Sequence, residues 1–223
     1  MAENPDHTMP NHFQQIFDKI MKADVHSQRF MDSIIIYAPL AESKDSSPIS
    51  GIYSALLACG STFLCSLAAK HALRGGIEVG LGAEMCPGEI YGPVVSEAYR
   101  LESSVADYPR IVIGQELLNY LFHKKDTQES DLWSKFTSQM AHTCLRFFTQ
   151  DVDGYAVLDY LGSGFMERGD YLLLKDGVHL KAHDFVTAEA AHWKEQKNTK
   201  LSFRYSHLQK YFDARLSMWA KSK

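Results

Sequence analysis

The sequence lacks any strong excess of one charge. Its 223 residues contain 23 Lys and Arg against 27 Asp and Glu, which gives a formal net charge of −4. Proteins that bind nucleic acid or anionic lipid through their overall field are strongly basic, so we expect no nucleic-acid partner. Internal repeats and low-complexity tracts are also absent, and 45% of the residues are hydrophobic. This composition excludes a disordered or fibrous chain and predicts a globular protein.

Cysteines are few, and none has metal-binding spacing. The four residues Cys59, Cys65, Cys86 and Cys144 include no CxxC pair, which argues against a zinc finger. Cys59 and Cys65 lie in an apolar segment of helical pattern, where we expect free and buried thiols.

Long hydrophobic runs are missing as well. The apolar runs at residues 34–37 and 55–69 are too short, or too interrupted by Cys, Gly and Ser, to predict a membrane span. The first ten residues show no basic segment followed by an apolar stretch, so no signal peptide is predicted. Together with the free thiols, these absences predict a cytoplasmic protein.

The sequence does contain an alternation of helical and strand-like segments. Apolar spacing predicts helices from Asn11, over 52–70, from Pro93 to about Ala106, from Gln115, over 132–148, and twice in the last forty residues. Strands are predicted over 30–38, 73–83, 110–113 and 155–161, with a loop over 42–50 and a turn over 85–88. This order is typical of a mixed α+β fold.

We divide the chain into three parts on these patterns. Residues 1–10 are polar and are predicted to form a flexible leader. Residues 11–165 hold the alternating helices and strands, and residues 166–223 form a helical C-terminal extension.

Two stretches carry the residues of chemical interest. The first, Phe30–Ile35, reads F-M-D-S-I-I and places Asp32 in an apolar strand, where a carboxylate needs a donor or a cation. A strand-start Asp capped by backbone amides is the alternative interpretation. The second begins with R-G-G-I-E-V-G over 74–80, continues with Y-G-P-V-V-S-E-A-Y-R-L-E over 91–102, and ends with P-R-I-V over 109–112.

Taken in this order, the stretches resemble the class III nucleotidyl cyclase homology domain, the fold of adenylyl, guanylyl and pyrimidine cyclases, in its short and divergent bacterial form. The resemblance covers Phe13 to Leu121. It implies a ferredoxin-like α+β domain with an antiparallel-rich sheet.

The resemblance also implies a reaction: formation of a 3′,5′-cyclic nucleotide from a nucleoside triphosphate, with Mg²⁺ or Mn²⁺, at the interface of two cyclase-like chains. Asp32 matches the family's second metal-binding Asp, and Arg100 matches its transition-state Arg. Ser96 stands where the family usually has Asn, and its hydroxyl can still donate a hydrogen bond. The implied partner is a second copy or another cyclase-like chain.

The family's base-selecting positions fall on Gln28 and Glu89. These residues match neither the Lys and Asp pair of adenylyl cyclases nor the Glu and Cys pair of guanylyl cyclases. The base therefore stays open, with pyrimidines among the candidates.

The family's first metal-binding Asp lies on an opening strand about forty residues before the second. Asp6, Asp18 and Asp24 have no such setting. We expect that strand to come from residues before this sequence, another segment or another chain. Two functions thus remain: an active cyclase, or a catalytically degenerate subunit that binds a nucleotide or a partner and regulates or scaffolds it.

Other motifs favour structural roles. Asp151-Val152-Asp153-Gly154 is similar to the start of a calcium loop but lacks the remaining ligands, so a turn is expected. Gly162-Ser163-Gly164 lacks the Lys of a phosphate loop. His179, His183 and Asp184 could ligate a metal, but no further cluster of ligand residues lies near them in the sequence, so a metal site is not expected. The three tryptophans at 133, 193 and 219 have the helical spacing of core residues, so we expect them to pack in the core.

Overall fold

The computed structural model describes residues 25–30, 32–40, 47–127, 131–168 and 177–219. The predicted leader over 1–10 and the helix predicted from Asn11 lie outside these ranges. The chain divides into two compact units, residues 1–55 and residues 56–223.

The first unit contains an antiparallel hairpin. Strand β1 spans His26–Phe30 and strand β2 spans Ser33–Tyr37, with Phe30 opposite Ser33. The prediction of one strand over 30–38 is therefore wrong at its start, because the chain reverses between Phe30 and Ser33, where Asp32 lies in the turn. Asp and Ser are common in tight turns since their short side chains bond to nearby backbone.

Helix α1 spans Pro48–Ala68, so the predicted helix is confirmed and begins four residues earlier than expected. Pro48 suits the first turn, where no backbone N–H donor is needed. The last three residues of the predicted 42–50 loop are thus helical.

Helix α1 is also the one helix in the described ranges that is long and apolar enough to cross a membrane. Its mean hydropathy is 1.5 over 18 residues, and 39% of that window is buried. A core helix of a soluble protein has the same length and composition, so the absence of a membrane span stays a prediction.

The second unit is built on a four-stranded sheet. The strands of this unit are β3 (Gly75–Ile77), β4 (Ala83–Cys86), β5 (Glu89–Tyr91), β6 (Ile111–Ile113), β7 (Phe148–Gln150) and β8 (Ala156–Leu158). The sheet order is β3-β6-β8-β7, with β3 and β6 parallel and the other pairs antiparallel. Strands β4 and β5 form a separate hairpin around the predicted turn.

Most of the other described residues of this unit are helical. The helices are α2 (Pro93–Arg100), α3 (Gln115–Lys125), α4 (Leu132–Leu145), α5 (Ser163–Arg168), α6 (Val178–Glu195) and α7 (Thr199–Trp219), and a π-helical turn over Leu101–Val105 continues α2. The mixed α+β class is therefore confirmed. The helix predicted over 132–148 ends earlier, because β7 begins at Phe148.

The cysteines differ from one another in exposure, and all four are thiols outside any disulfide. Cys144 is buried in the core, and burial raises the pKa of its thiol to about 12; burial likewise raises the pKa of Cys59 to about 11. The expectation that Cys65 is buried is wrong, since it lies on an exposed part of α1.

Glycines let α2 pack closely on the segment that begins with β3. A Cβ atom at Gly76 would collide with the Ala98 carbonyl and lie 2.6 Å from Leu101 Cβ. At Gly80 the nearest atom, Val94 Cβ, would lie 3.4 Å away. The glycine-rich pattern therefore marks close backbone approach, as predicted for 73–83, although only Gly75–Ile77 of that range pairs as part of this sheet.

We expect Gly76→Ala to lower the free energy of unfolding by about 1–3 kcal/mol, because an added methyl group forces α2 away from β3. Gly75→Ala is the matched control, since its Cβ would meet a side-chain atom of Ile111 at 3.3 Å. Urea unfolding of both variants measures the difference, and equal losses would contradict the proposed close approach.

Candidate functional site

Helix α2 presents two of the predicted site residues on its exposed side. Gly92, with φ of 132°, and Pro93 begin the helix. Leu101 is 2% exposed and packs toward the sheet, whereas Ser96 and Arg100 are exposed and lie one turn apart. The helix thus places a hydroxyl and a guanidinium on the same open face.

Arg100 is bound to Glu97. Its Nε lies 2.9 Å from each carboxylate oxygen, and its Nη2 donates to Oε1 at 2.6 Å. The hydrogen bond from Arg100 lowers the pKa of the Glu97 carboxyl. Glu102, two residues after Arg100, pairs with Arg74 at 2.8 Å.

Leu101–Val105 form the π-helical turn that follows Arg100, closed by a 2.9 Å bond from the Ala106 N–H to the Leu101 carbonyl. Leu101 and Ala106 pack with Val112 of β6 in a small buried cluster. The turn therefore fixes the C-terminal end of α2 against the sheet.

The remaining predicted residues lie in two places. Asp32 is exposed in the β1–β2 turn, where Ser33 Oγ donates to its carboxylate at 3.4 Å, and Gln28 is half-buried in β1 opposite Ile35. The expectation that Asp32 is enclosed by an apolar strand is wrong, because water reaches its carboxylate. In the second unit, Glu89 is exposed on β5 and accepts a 3.1 Å bond from the Tyr91 hydroxyl, which raises the pKa of Tyr91.

A cleft of about 990 Å³ lies beside Arg100 in the second unit. It opens where the parallel strands β3 and β6 end, an edge at which α/β proteins often bind ligands. Its lining includes Glu78, Glu97, Arg100, Phe122, Thr149 and Tyr155. The sequence patterns gave no indication of this cleft, because its walls come from four separate parts of the chain.

Glu78, directly after β3, closes one wall of the cleft. Its carboxylate accepts bonds from the N–H groups of Val79 at 2.8 Å and Leu117 at 2.9 Å. The second bond satisfies a free amide in the first turn of α3, where a negative charge is favourable. Gly114 is required beside it, since a Cβ there would overlap the carboxylate.

A buried ionic network lies next to the cleft. Arg110 is 4% exposed and binds Asp151 through Nη1 and Asp153 through Nη2, the latter at 2.5 Å. Its Nη2 also donates to the Val105 carbonyl at 2.8 Å. The Asp151–Gly154 motif is therefore a turn that holds a guanidinium, in agreement with the predicted turn.

Asp151 is the centre of this network. Its carboxylate accepts a 2.6 Å bond from the Tyr108 hydroxyl, and His207 Nε2 lies 3.3 Å from its other oxygen. Burial by itself raises the pKa of Asp151, but the hydrogen bonds from Tyr108, the Val152 N–H, Arg110 and His207 outweigh it and keep the pKa low. Burial raises the pKa of Tyr108, and so do its hydrogen bond to Asp151 and the charge of that carboxylate, whereas Arg110 acts in the opposite direction.

Within the described ranges, no three His, Cys, Asp or Glu side chains form a metal-binding group. His183 instead contacts Asp213 at 2.9 Å, and His179 stacks on Trp219. In the described part of the first unit, Asp32 is the one acidic residue. Asp32 is thus a single exposed carboxylate, a type of oxygen ligand that Mg²⁺ and Mn²⁺ prefer.

Known family models, curated proteins and solved structures show no match to this chain. The cyclase resemblance therefore rests on the sequence motifs alone.

We expect Arg110→Met to lower the free energy of unfolding by about 3–5 kcal/mol, because it leaves the Asp151 carboxylate buried without its cation. Arg100→Met removes an exposed pair and should leave the urea midpoint almost unchanged. Equal midpoints for the two variants would show that the Arg110 network does not support the fold.

The low pKa of Asp151 predicts acid sensitivity. A carboxyl whose pKa is lower in the folded protein stabilises the fold above its unfolded pKa of about 3.9, and this contribution disappears as pH falls through the folded pKa. Unfolding measured from pH 7 to pH 3 should thus show a smaller loss below about pH 4 in Asp151→Asn than in wild type. The control is Asp126→Asn, which should keep the wild-type profile because the Asp126 side chain is 72% exposed. An unchanged profile in Asp151→Asn would contradict the low pKa of Asp151.

Proposed function

We propose that the chain is a nucleotidyl cyclase-like protein, which binds a nucleoside triphosphate at the interface of two cyclase-like chains and forms a 3′,5′-cyclic nucleotide. The observation that carries the proposal is the open face of α2, with Ser96 and Arg100 one turn apart on a helix held closely to the sheet by Gly76. A helix fixed in this way holds its polar groups in place before a ligand arrives, which favours catalysis by oriented charge.

In this reaction the ribose 3′-oxygen bonds to the α-phosphorus, the bond from that phosphorus to the bridging oxygen breaks, and pyrophosphate leaves. The hydroxyl proton passes to solvent. The Arg100 guanidinium matches phosphate oxygens as a planar fork, and Ser96 donates a hydrogen bond nearby.

Asp32 has the complementary role. Its carboxylate, exposed at the hairpin turn, would hold Mg²⁺ or Mn²⁺, which lowers the pKa of the hydroxyl and neutralises phosphate charge. Gln28 and Glu89 carry amide and carboxylate groups suited to the edge of a base. Because Asp32 supplies a single carboxylate, we propose that a second chain, the same or related, completes the site.

A second candidate function is favoured by the pair of Arg100 and Glu97. Since Glu97 occupies the guanidinium in the structure, the same face also suits a catalytically degenerate subunit that binds a nucleotide or a partner chain and regulates or scaffolds it. The two functions differ in whether a cyclic product forms.

The test incubates the protein with each of the four nucleoside triphosphates and Mn²⁺, and separates the products by chromatography. We expect Arg100→Ala to reduce cyclic nucleotide formation about a hundredfold and Asp32→Ala to abolish it. Arg146→Ala is the control, because Arg146 also forms an exposed 2.6 Å pair, with Glu167, and is not part of the cleft lining.

A wild-type chain that binds triphosphate but yields no cyclic product would favour the degenerate subunit. Full turnover in Asp32→Ala would remove Asp32 from the site, and equal rates in the two arginine variants would remove Arg100.

A further inference from the structure

We infer that Glu97 is an internal competitor of the nucleotide phosphates for the Arg100 guanidinium, so that it lowers nucleotide affinity at this face. The inference rests on the proposed function and concerns the regulation of the same site. Glu97 is not among the residues to which the cyclase resemblance gives a role.

The geometry of the pair supports this role. Both carboxylate oxygens of Glu97 engage Arg100, at distances of 2.6 to 2.9 Å. This is the two-pronged arrangement in which a guanidinium also binds phosphate. Glu97 uses the Nε and Nη2 edge of the guanidinium, so a phosphate that binds this edge must displace the carboxylate.

The pair is weak enough to exchange. The side chains of Arg100 and Glu97 are 51% and 41% exposed, and exposed pairs of this kind contribute little to stability because water and salt screen them. A ligand with several negative charges can thus displace the carboxylate, whereas a ligand with none cannot. Glu97 is expected to make binding at this face depend on the charge of the ligand.

The other carboxylate near Arg100 does not compete in this way. Glu78 acts on Arg100 electrostatically, but its Oε1 accepts the backbone N–H bonds of Val79 and Leu117. Moving it would remove the cap of α3. Glu97 has no such structural bond among the contacts of the described residues, so its release leaves the fold intact.

The test is Glu97→Gln, with Glu102→Gln as the matched control. Glu102 is also in the segment of α2 and its continuing turn, and its substitution removes the same charge but frees Arg74 rather than Arg100. Isothermal titration calorimetry at low salt would measure the Kd of each variant for ATP, GTP, CTP and UTP with Mn²⁺, and for the four uncharged nucleosides. Thermal unfolding checks that both variants remain folded.

We expect Glu97→Gln to bind triphosphate about three- to tenfold more tightly than wild type, because it frees Arg100 and removes a repelling charge. Nucleoside affinity should not change, and Glu102→Gln should stay within about twofold of wild type. Adding Arg100→Ala to Glu97→Gln should remove most of the gain. This last result separates competition for Arg100 from a general effect of charge.

Two outcomes would overturn the inference alone: an equal gain in Glu102→Gln, or an equal gain for nucleosides and triphosphates. Absence of triphosphate binding in wild type and in every variant would instead overturn the proposed function, and the inference with it.

Discussion

The contact between Arg110 and the carboxylates of Asp151 and Asp153 determines how the second unit is assembled. Arg110 directly precedes the buried strand β6, the two acids lie in the turn between β7 and β8, and His207 of α7 binds Asp151 at the same point. The guanidinium also binds the carbonyl of Val105, at the end of the turn that follows α2. One buried cation thus connects the sheet, the C-terminal helix and the helix that carries Arg100. A buried pair of this kind constrains the fold because either partner alone is costly in the interior.

The two arginines illustrate how burial decides the role of a side chain. Arg100 and Arg110 each bind carboxylates through the same chemical group, but Arg110 is enclosed whereas Arg100 faces solvent. The enclosed arginine binds Asp151, Asp153 and the Val105 carbonyl, and it cannot exchange them without loss of structure. Among the described residues, the exposed arginine has one hydrogen-bond partner, three residues away on its own helix, and is free to exchange it.

Local patterns were sufficient to predict α1, α2 and the two C-terminal helices, since apolar spacing and the Gly92-Pro93 start depend only on nearby residues. They also predicted the close packing at Gly76. The pairing of Arg110 with Asp151 joins residues 41 positions apart, and no spacing rule identifies such a partner. The reversal at Asp32 was missed because the apolar residues around it outweighed the turn preference of Asp32 and Ser33. The cleft could not be predicted for the same reason as the Arg110 network, because its lining residues are far apart in the sequence.

The contacts of α7 have a consequence for how the chain resists pulling. Arg215 binds Asp159 through three hydrogen bonds, the Tyr211 hydroxyl joins the same carboxylate, and the Trp219 indole donates to the Leu161 carbonyl. Both acceptor residues, Asp159 and Leu161, lie just after the end of β8. Force applied at the C-terminus is therefore transmitted through these hydrogen bonds to the sheet. We expect mechanical extension to strain β8 and the Arg110 contacts before α7 unwinds.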